Sequence, residues 1–384
     1  MADGVRVYAG THEGVLVLSL RNGGCELVSE AFSGAIIDSE ASCPRRSERA
    51  FVGVTHDGLY RTDDAGTHWR KVLDGDIRSV AVDPTDDRVV YAGTEPVHLY
   101  RSEDGGDSWE EIISLQRLPE DTRRKLGDGD GPSILNNQNP GFRHRRQEWT
   151  FPLPPHEGHI IQMFIHPDDP NLLYLSIEHG GIARSADRGR TWEDVSEGID
   201  YLDIHTVASL PHRFDRFFVA SARGFYTTDD PRNGWTRAEN GCSRNYFHDI
   251  VFLPTVNGGD ATMVMATADG SPGVWQATKG KDEWDSSVTG SRSALFRSGD
   301  CAHSWHRVGA GQGLDDEMDP MIWSLCLHPH ERNAIFAGVG EVSRGHASGK
   351  GGSGSVLLSR DGGDTWQPIK TDIPAVRYVA AAAE

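Results

Sequence analysis

Cysteine, long apolar runs and positive charge are all in short supply. The chain has 384 residues but only 5 Cys. Cys25, Cys43, Cys242, Cys301 and Cys326 are scattered and show no Cys-x-x-Cys spacing. An odd, dispersed set excludes a complete disulfide framework and argues against a thiolate metal site. No apolar stretch approaches the ~18 residues of a membrane-spanning helix, so no membrane partner is expected. The start, Met1-Ala2-Asp3-Gly4-Val5-Arg6, has no basic region followed by an apolar core. No signal peptide is therefore expected, and the localisation expected is cytoplasmic. Lys plus Arg number 38 against 57 Asp plus Glu, a formal charge of −19. A surface of that sign repels phosphate backbones, so no nucleic-acid partner is expected. Catalytic signatures are missing too. There is no Gly-x-Ser-x-Gly and no His-Glu-x-x-His, and the Gly/Ser-rich stretch 348–355 lacks the order of a phosphate-binding loop.

What the chain does contain is a repeat. The phrase Ser/Thr-x-Asp-x-Gly-x-Ser/Thr-Trp, with small departures, stands at Thr62–Trp69, Ser102–Trp109, Ser185–Trp192 and Ser359–Trp366. Two worn copies occupy Thr228–Trp235 and Ser298–Trp305. These residue types suit a tight turn. The Asp carboxylate folds onto nearby N–H groups, Gly supplies a positive φ, and Trp plugs the neighbouring sheet. The phrase resembles the Asp-box, or BNR repeat, of sialidase-like β-propellers, sortilin-type domains and photosystem-assembly propeller proteins. That resemblance runs along almost the whole chain. It implies that each box is the hairpin between the third and fourth strands of a blade, a scaffold element away from any active site.

A second pattern precedes the boxes. Strands ending in x-Pro occur at Ile77–Pro84, Ile160–Pro167, Ile204–Pro211, Phe247–Pro254 and Ile322–Pro329, and most are followed by a turn and another apolar run. Four short strands per unit make a propeller blade. The expected fold is all-β, a seven-bladed β-propeller with Asp-box turns, over 1–384 as one domain. Its first blade is expected to join N-terminal strands to a C-terminal strand at Val376–Ala380, which closes the ring and removes free edges.

In such a blade the box and x-Pro turns share one face. Insertions at 114–158, 269–292 and 341–353 all fall in connections of the opposite, top face, where function is expected. The 17 His sort by the same register. His68, His166, His212, His303, His306, His328 and His330 belong to the turn face. On the top face, His12, His56 and His179 share one position, and His205 and His248 share another with Arg78 and Trp323. His159 lies one residue earlier in its blade, Glu95 and Glu178 share a register, and Arg223 ends a second strand.

Imidazoles with carboxylates around one opening suit a divalent transition metal (Zn, Mn, Fe or Ni), or an acid–base pair. The candidate metal ligands are His159, His179, His205 and His248. Glu178, Glu95 and His56 are the candidate catalytic groups, with Arg78 and Arg223 holding substrate charge. The function expected is an enzyme, a hydrolase or lyase, acting on a small polar or anionic substrate in a His-rich pocket. The alternative is a non-catalytic propeller platform that docks a protein or peptide, and a weaker one is a glycoside hydrolase with paired carboxylates. A true sialidase is not expected. The Arg-Ile-Pro that the resemblance would require is absent, although Arg78, Arg223 and Arg377 could assemble a triad. Oligomeric state is open at this level.

Overall fold

The computed structural model describes residues 4–117, 158–178, 180–211, 214–254, 261–270, 290–316, 318–341 and 352–384. It is an all-β, seven-bladed β-propeller, built as seven four-stranded antiparallel sheets. The first strands of blades 2 to 7 are Ile37–Cys43, Ile77–Val82, Ile160–Ile165, Ile204–Ser209, Tyr246–Leu253 and Met321–Leu327. Blade 1 takes its first strand from the other end of the chain. Val376–Ala383 pairs with Val5–Thr11, which pairs in turn with Gly14–Arg21 and Gly24–Ala31. The closing strand is three residues longer than the sequence pattern marks, because Ala381–Ala383 continue the ladder against Val5–Val7.

Burial explains why the strands read as short apolar runs. Second strands such as Leu173–Ile177 and Phe217–Ser221 are buried at every position. Strands covered on both faces need no polar alternation. The fourth strands of blades 3, 4 and 5 are brief and at least partly exposed, two residues each at Glu110–Glu111, Glu193–Asp194 and Thr236–Arg237.

Packing divides the chain into two compact units. The first comprises Met1–Thr55, Arg61–Arg70 and Ala238–Glu384, the second His56–Tyr60 and Lys71–Arg237. In the second unit, Ile160, Leu175, Ile177 and Trp192 centre one core, and Val207, Val219, Tyr226 and Trp235 another. In the first, Val264, Leu295, Ile322, Ile335 and Trp366 centre one, and Val7, Leu18, Phe336 and Val376 another.

The boxes are the third-to-fourth-strand hairpins, stitched by a shared bonding pattern. In the first box Thr62 Oγ1 donates to Asp64 Oδ1 (2.9 Å), while accepting from Gly66 N–H (2.8 Å); Asp64 Oδ1 also accepts from His68 N–H (2.8 Å). The same three bonds recur from Ser102, Ser185, Ser298 and Ser359. At Ser298 they survive although Ala302 stands in the glycine position, at φ 66. The Thr228 copy differs: Pro231–Asn233 form a single 3-10 turn, and Thr228 Oγ1 donates to the Asp230 carbonyl (3.0 Å).

Each later box tryptophan is also locked to the blade before it, through a motif that the sequence pattern does not reveal. Trp235, Trp305 and Trp366 donate their backbone N–H to the carbonyls of Glu197, Asn240 and Gln312, each at 2.8 Å. The residue after each acceptor is a glycine. At Gly241 and Gly313 (φ 91 and 97) a Cβ would overlap the carbonyl oxygen of Trp305 and Trp366 respectively.

Candidate functional site

One irregularity repeats in every blade. The pairing of the first strand with the second shifts around its second or third residue, so that residue is an extra one, a β-bulge. In the second unit the bulged residues are Arg78, Ile161 and His205. In the first they are Asp38, His248, Trp323 and Arg377. A bulge re-aims its side chain and recurs next to functional sites. Six of these seven side chains are charged, imidazole or indole.

Around the bulges of the second unit, polar groups link into a run. His56, at φ 56 in a strand-two-to-three turn, places Nδ1 2.7 Å from Asp76 Oδ2. Arg78 Nη2 bridges Asp76 Oδ2 (3.1 Å) and Glu95 Oε2 (2.7 Å). His159 sets Nδ1 3.5 Å from Glu95 Oε2 and Nε2 2.7 Å from Glu178 Oε2. Beyond Glu178, His205 Nε2 lies 3.6 Å from Asp203 Oδ1, and the Arg223 guanidinium sits 4.9 Å over the Tyr201 ring. The run spans the exposure range, from His56 at 76% to His205 at 4%.

The electrostatics follow from burial and pairing. Burial pulls the His159 pKa down, but the charge and hydrogen bond of Glu178 outweigh it and hold the imidazole above its ordinary value. Burial raises Asp203, with the nearby Glu178 charge adding to the rise and His205 opposing it. Burial likewise pushes the Tyr201 phenol up.

Five predicted residues, His56, Arg78, Glu95, His159 and Glu178, are thus brought into one run, which His205 and Arg223 extend. His248 belongs to the other unit and has aromatic company. Its ring meets Trp323 edge-on at 5.2 Å and stacks near Tyr246 at 6.1 Å. The Arg377 guanidinium covers the Trp323 ring at 4.2 Å. His179 lies outside the described residues, as do most of the insertions 114–158, 269–292 and 341–353. Among the described residues, no group of three or more His, Cys, Asp or Glu is placed to hold a metal ion.

Asp76, Asp203 and Tyr201 are functional-site neighbours that the sequence reading does not single out. The signal for two of them exists. Carrying the x-Pro alignment one residue upstream sets Asp76, His159 and Asp203 at one position.

No family model matches the chain. In sequence it is 26% identical over 203 residues to the photosystem II assembly lipoprotein Ycf48 of Picosynechococcus sp.. That match covers 51% of this chain and 45% of the relative, less than half its length. In fold it is similar to the GH74 enzyme of Niastella koreensis, with a TM-score of 0.58 at 15% identity. The likeness covers 94% of this chain and 46% of the other, and at that identity it speaks to fold alone. A structure of YCF48 bound to D1 peptide has a TM-score of 0.49 at 15% identity, covering 87% and 82% of the two chains. The expectation of a small-molecule substrate is corrected by the sequence match. The relative is named for assembly of a photosystem, not for turnover of a small molecule.

Proposed function

We propose that this chain, a seven-bladed β-propeller similar in sequence to a photosystem assembly factor, is a non-catalytic platform that docks a polypeptide partner. The observation that carries the reading is the match, over half of the chain, to a protein named for assembly. The charged run of the second unit supports it. Nitrogen groups and carboxylates alternate along His56, Asp76, Arg78, Glu95, His159 and Glu178, and each is held by its neighbours. Charges fixed before the partner arrives give specificity and fast association, because their ordering cost does not fall on binding.

The sign of the partner follows from the balance. The run itself pairs its carboxylates with Arg78, Arg223 and His159, so the sign is set by the chain around it, whose net charge is −19. A basic segment, rich in lysine and arginine, complements that surface. The test is an array of short peptides graded from acidic to basic, probed with the wild-type chain and with Glu95→Gln/Glu178→Gln. Basic peptides are expected to slow hydrogen exchange around the charged run, at Ile77–Val82 and Ile204–Ser209, to lose about tenfold in affinity there from low to physiological salt, and to give no such protection in the double variant. Protection of the run that ignores peptide charge, or that survives both substitutions, contradicts the reading.

A further inference from the structure

Blade 1 carries a second surface whose evidence is separate from the charged run. Its fourth strand, Gly24–Ala31, is 8 residues long. Fourth strands of blades 3, 4 and 5 have 2 residues, and that of blade 6 has 3. The fourth strand of blade 7 is also long, but Pro368, Pro374 and two register shifts interrupt it. Prolines and bulges are the usual means of blunting an open edge. Gly24–Ala31 contains no proline, has a single register shift, and pairs with Gly14–Arg21. Among the described residues, no other backbone group bonds to it.

Along its length this strand is apolar at its middle and acidic around it, with Glu26 and Glu30 on opposite faces of the sheet because their partners Ser19 and Leu16 are three residues apart. A register shift opposite Val17 and Leu18 makes Val28 an extra residue beside Leu27. Leu27 and Val28 are 42% and 44% exposed. Glu26 and Glu30 flank them and are exposed. The strand is anchored from beneath, where Ser29 Oγ donates to the Gly66 carbonyl at 2.6 Å. Just past its end, Phe32 meets the Trp69 ring at 5.7 Å. The edge is therefore ordered before any partner arrives.

We infer that Gly24–Ala31 takes an added β-strand from an extended polypeptide. This segment carries lysine or arginine opposite Glu26 and Glu30, with apolar side chains against Leu27 and Val28. Main-chain hydrogen bonds along the edge supply affinity, and the two glutamates and the apolar pair select the sequence. A second copy of this chain is a poor occupant. Antiparallel self-pairing about Val28 gathers the glutamates of both copies at one seam and brings together two chains of charge −19.

The probe is a capped peptide of about eight residues, the length of a typical strand, made of threonine and valine with two lysines three positions apart, so that they fall on opposite faces as Glu26 and Glu30 do. Its counterpart carries glutamates in place of the lysines. Affinity is read by fluorescence anisotropy and location by hydrogen exchange. The wild-type chain is expected to bind the lysine peptide with new protection over 24–31. Glu26→Lys/Glu30→Lys is expected to weaken that peptide about tenfold or more and to capture the glutamate peptide instead. Glu95→Gln/Glu178→Gln is expected to leave edge binding unchanged, so failure at the charged run and failure here are separable. Three results overturn the inference: equal binding of the lysine peptide by wild type and Glu26→Lys/Glu30→Lys, no protection over 24–31, or a dimer in sedimentation that Leu27→Lys dissolves.

Discussion

His159 Nε2 lies 2.7 Å from Glu178 Oε2, and this contact decides the charge of a buried imidazole. Burial alone would keep the ring neutral, but Glu178 lifts its pKa above the ordinary value. A histidine whose pKa is raised by folding stabilises fully below about pH 6.5, its unfolded value. That contribution is lost as pH rises through the folded pKa. Glu178→Gln is expected to drop the His159 pKa and remove that part of the pH dependence. NMR titration of the His159 ring in both chains checks it, and an unchanged pKa in the variant would refute the pairing.

Asp249 is a buried carboxylate with a different balance. Its Oδ2 accepts from Leu325 N–H (2.7 Å) and its Oδ1 from Ile250 N–H (2.8 Å). Burial outweighs both bonds and raises its pKa to about 6. A raised carboxylate favours the folded state below its unfolded pKa, and the gain is lost as pH climbs to the folded value. Asp249→Asn is expected to flatten stability against pH across that interval. Denaturant titrations at stepped pH measure it, and identical slopes for both chains would contradict the assignment.

The glycine locks predict a ranked pair of effects. At Gly241 and Gly313 alanine must accept a left-handed backbone and also overlap a tryptophan carbonyl. Together these cost about 2–4 kcal/mol. Gly23 has φ 78 but nothing within 4 Å of an added Cβ, so alanine there costs about 1 kcal/mol from backbone strain alone. Urea unfolding of the three variants gives the order, and an equal loss at all three would show that the carbonyl contact is immaterial.

The blades are legible in the sequence because their signals are local. Six Ser/Thr-x-Asp phrases ending in Trp each encode one hairpin, and the x-Pro endings mark first strands. Even the worn Ser298 copy keeps its bonds with Ala302 in the glycine position. The site is legible only as a register. That register places Arg78 with His205 correctly, since both are bulged residues of the second unit. It places His248 at the equivalent position too, and His248 is the bulged residue of its own blade, beside Tyr246 and Trp323. Asp76 and Asp203 share the register of His159 one residue upstream, but their role shows only once Arg78 and His205 are seen beside them. The lock glycines escape a sequence reading, since each lies 37 to 64 residues from the tryptophan it meets.

The measurement that bears most directly on the docking platform is hydrogen exchange on the chain with and without a basic peptide selected from the array. The account predicts slowed exchange around the charged run, at Ile77–Val82, Leu173–Ile177 and Ile204–Ser209, and no such change in Glu95→Gln/Glu178→Gln. Protection confined to the box hairpins, such as Ser359–Trp366, or protection that persists in the double variant, would contradict it.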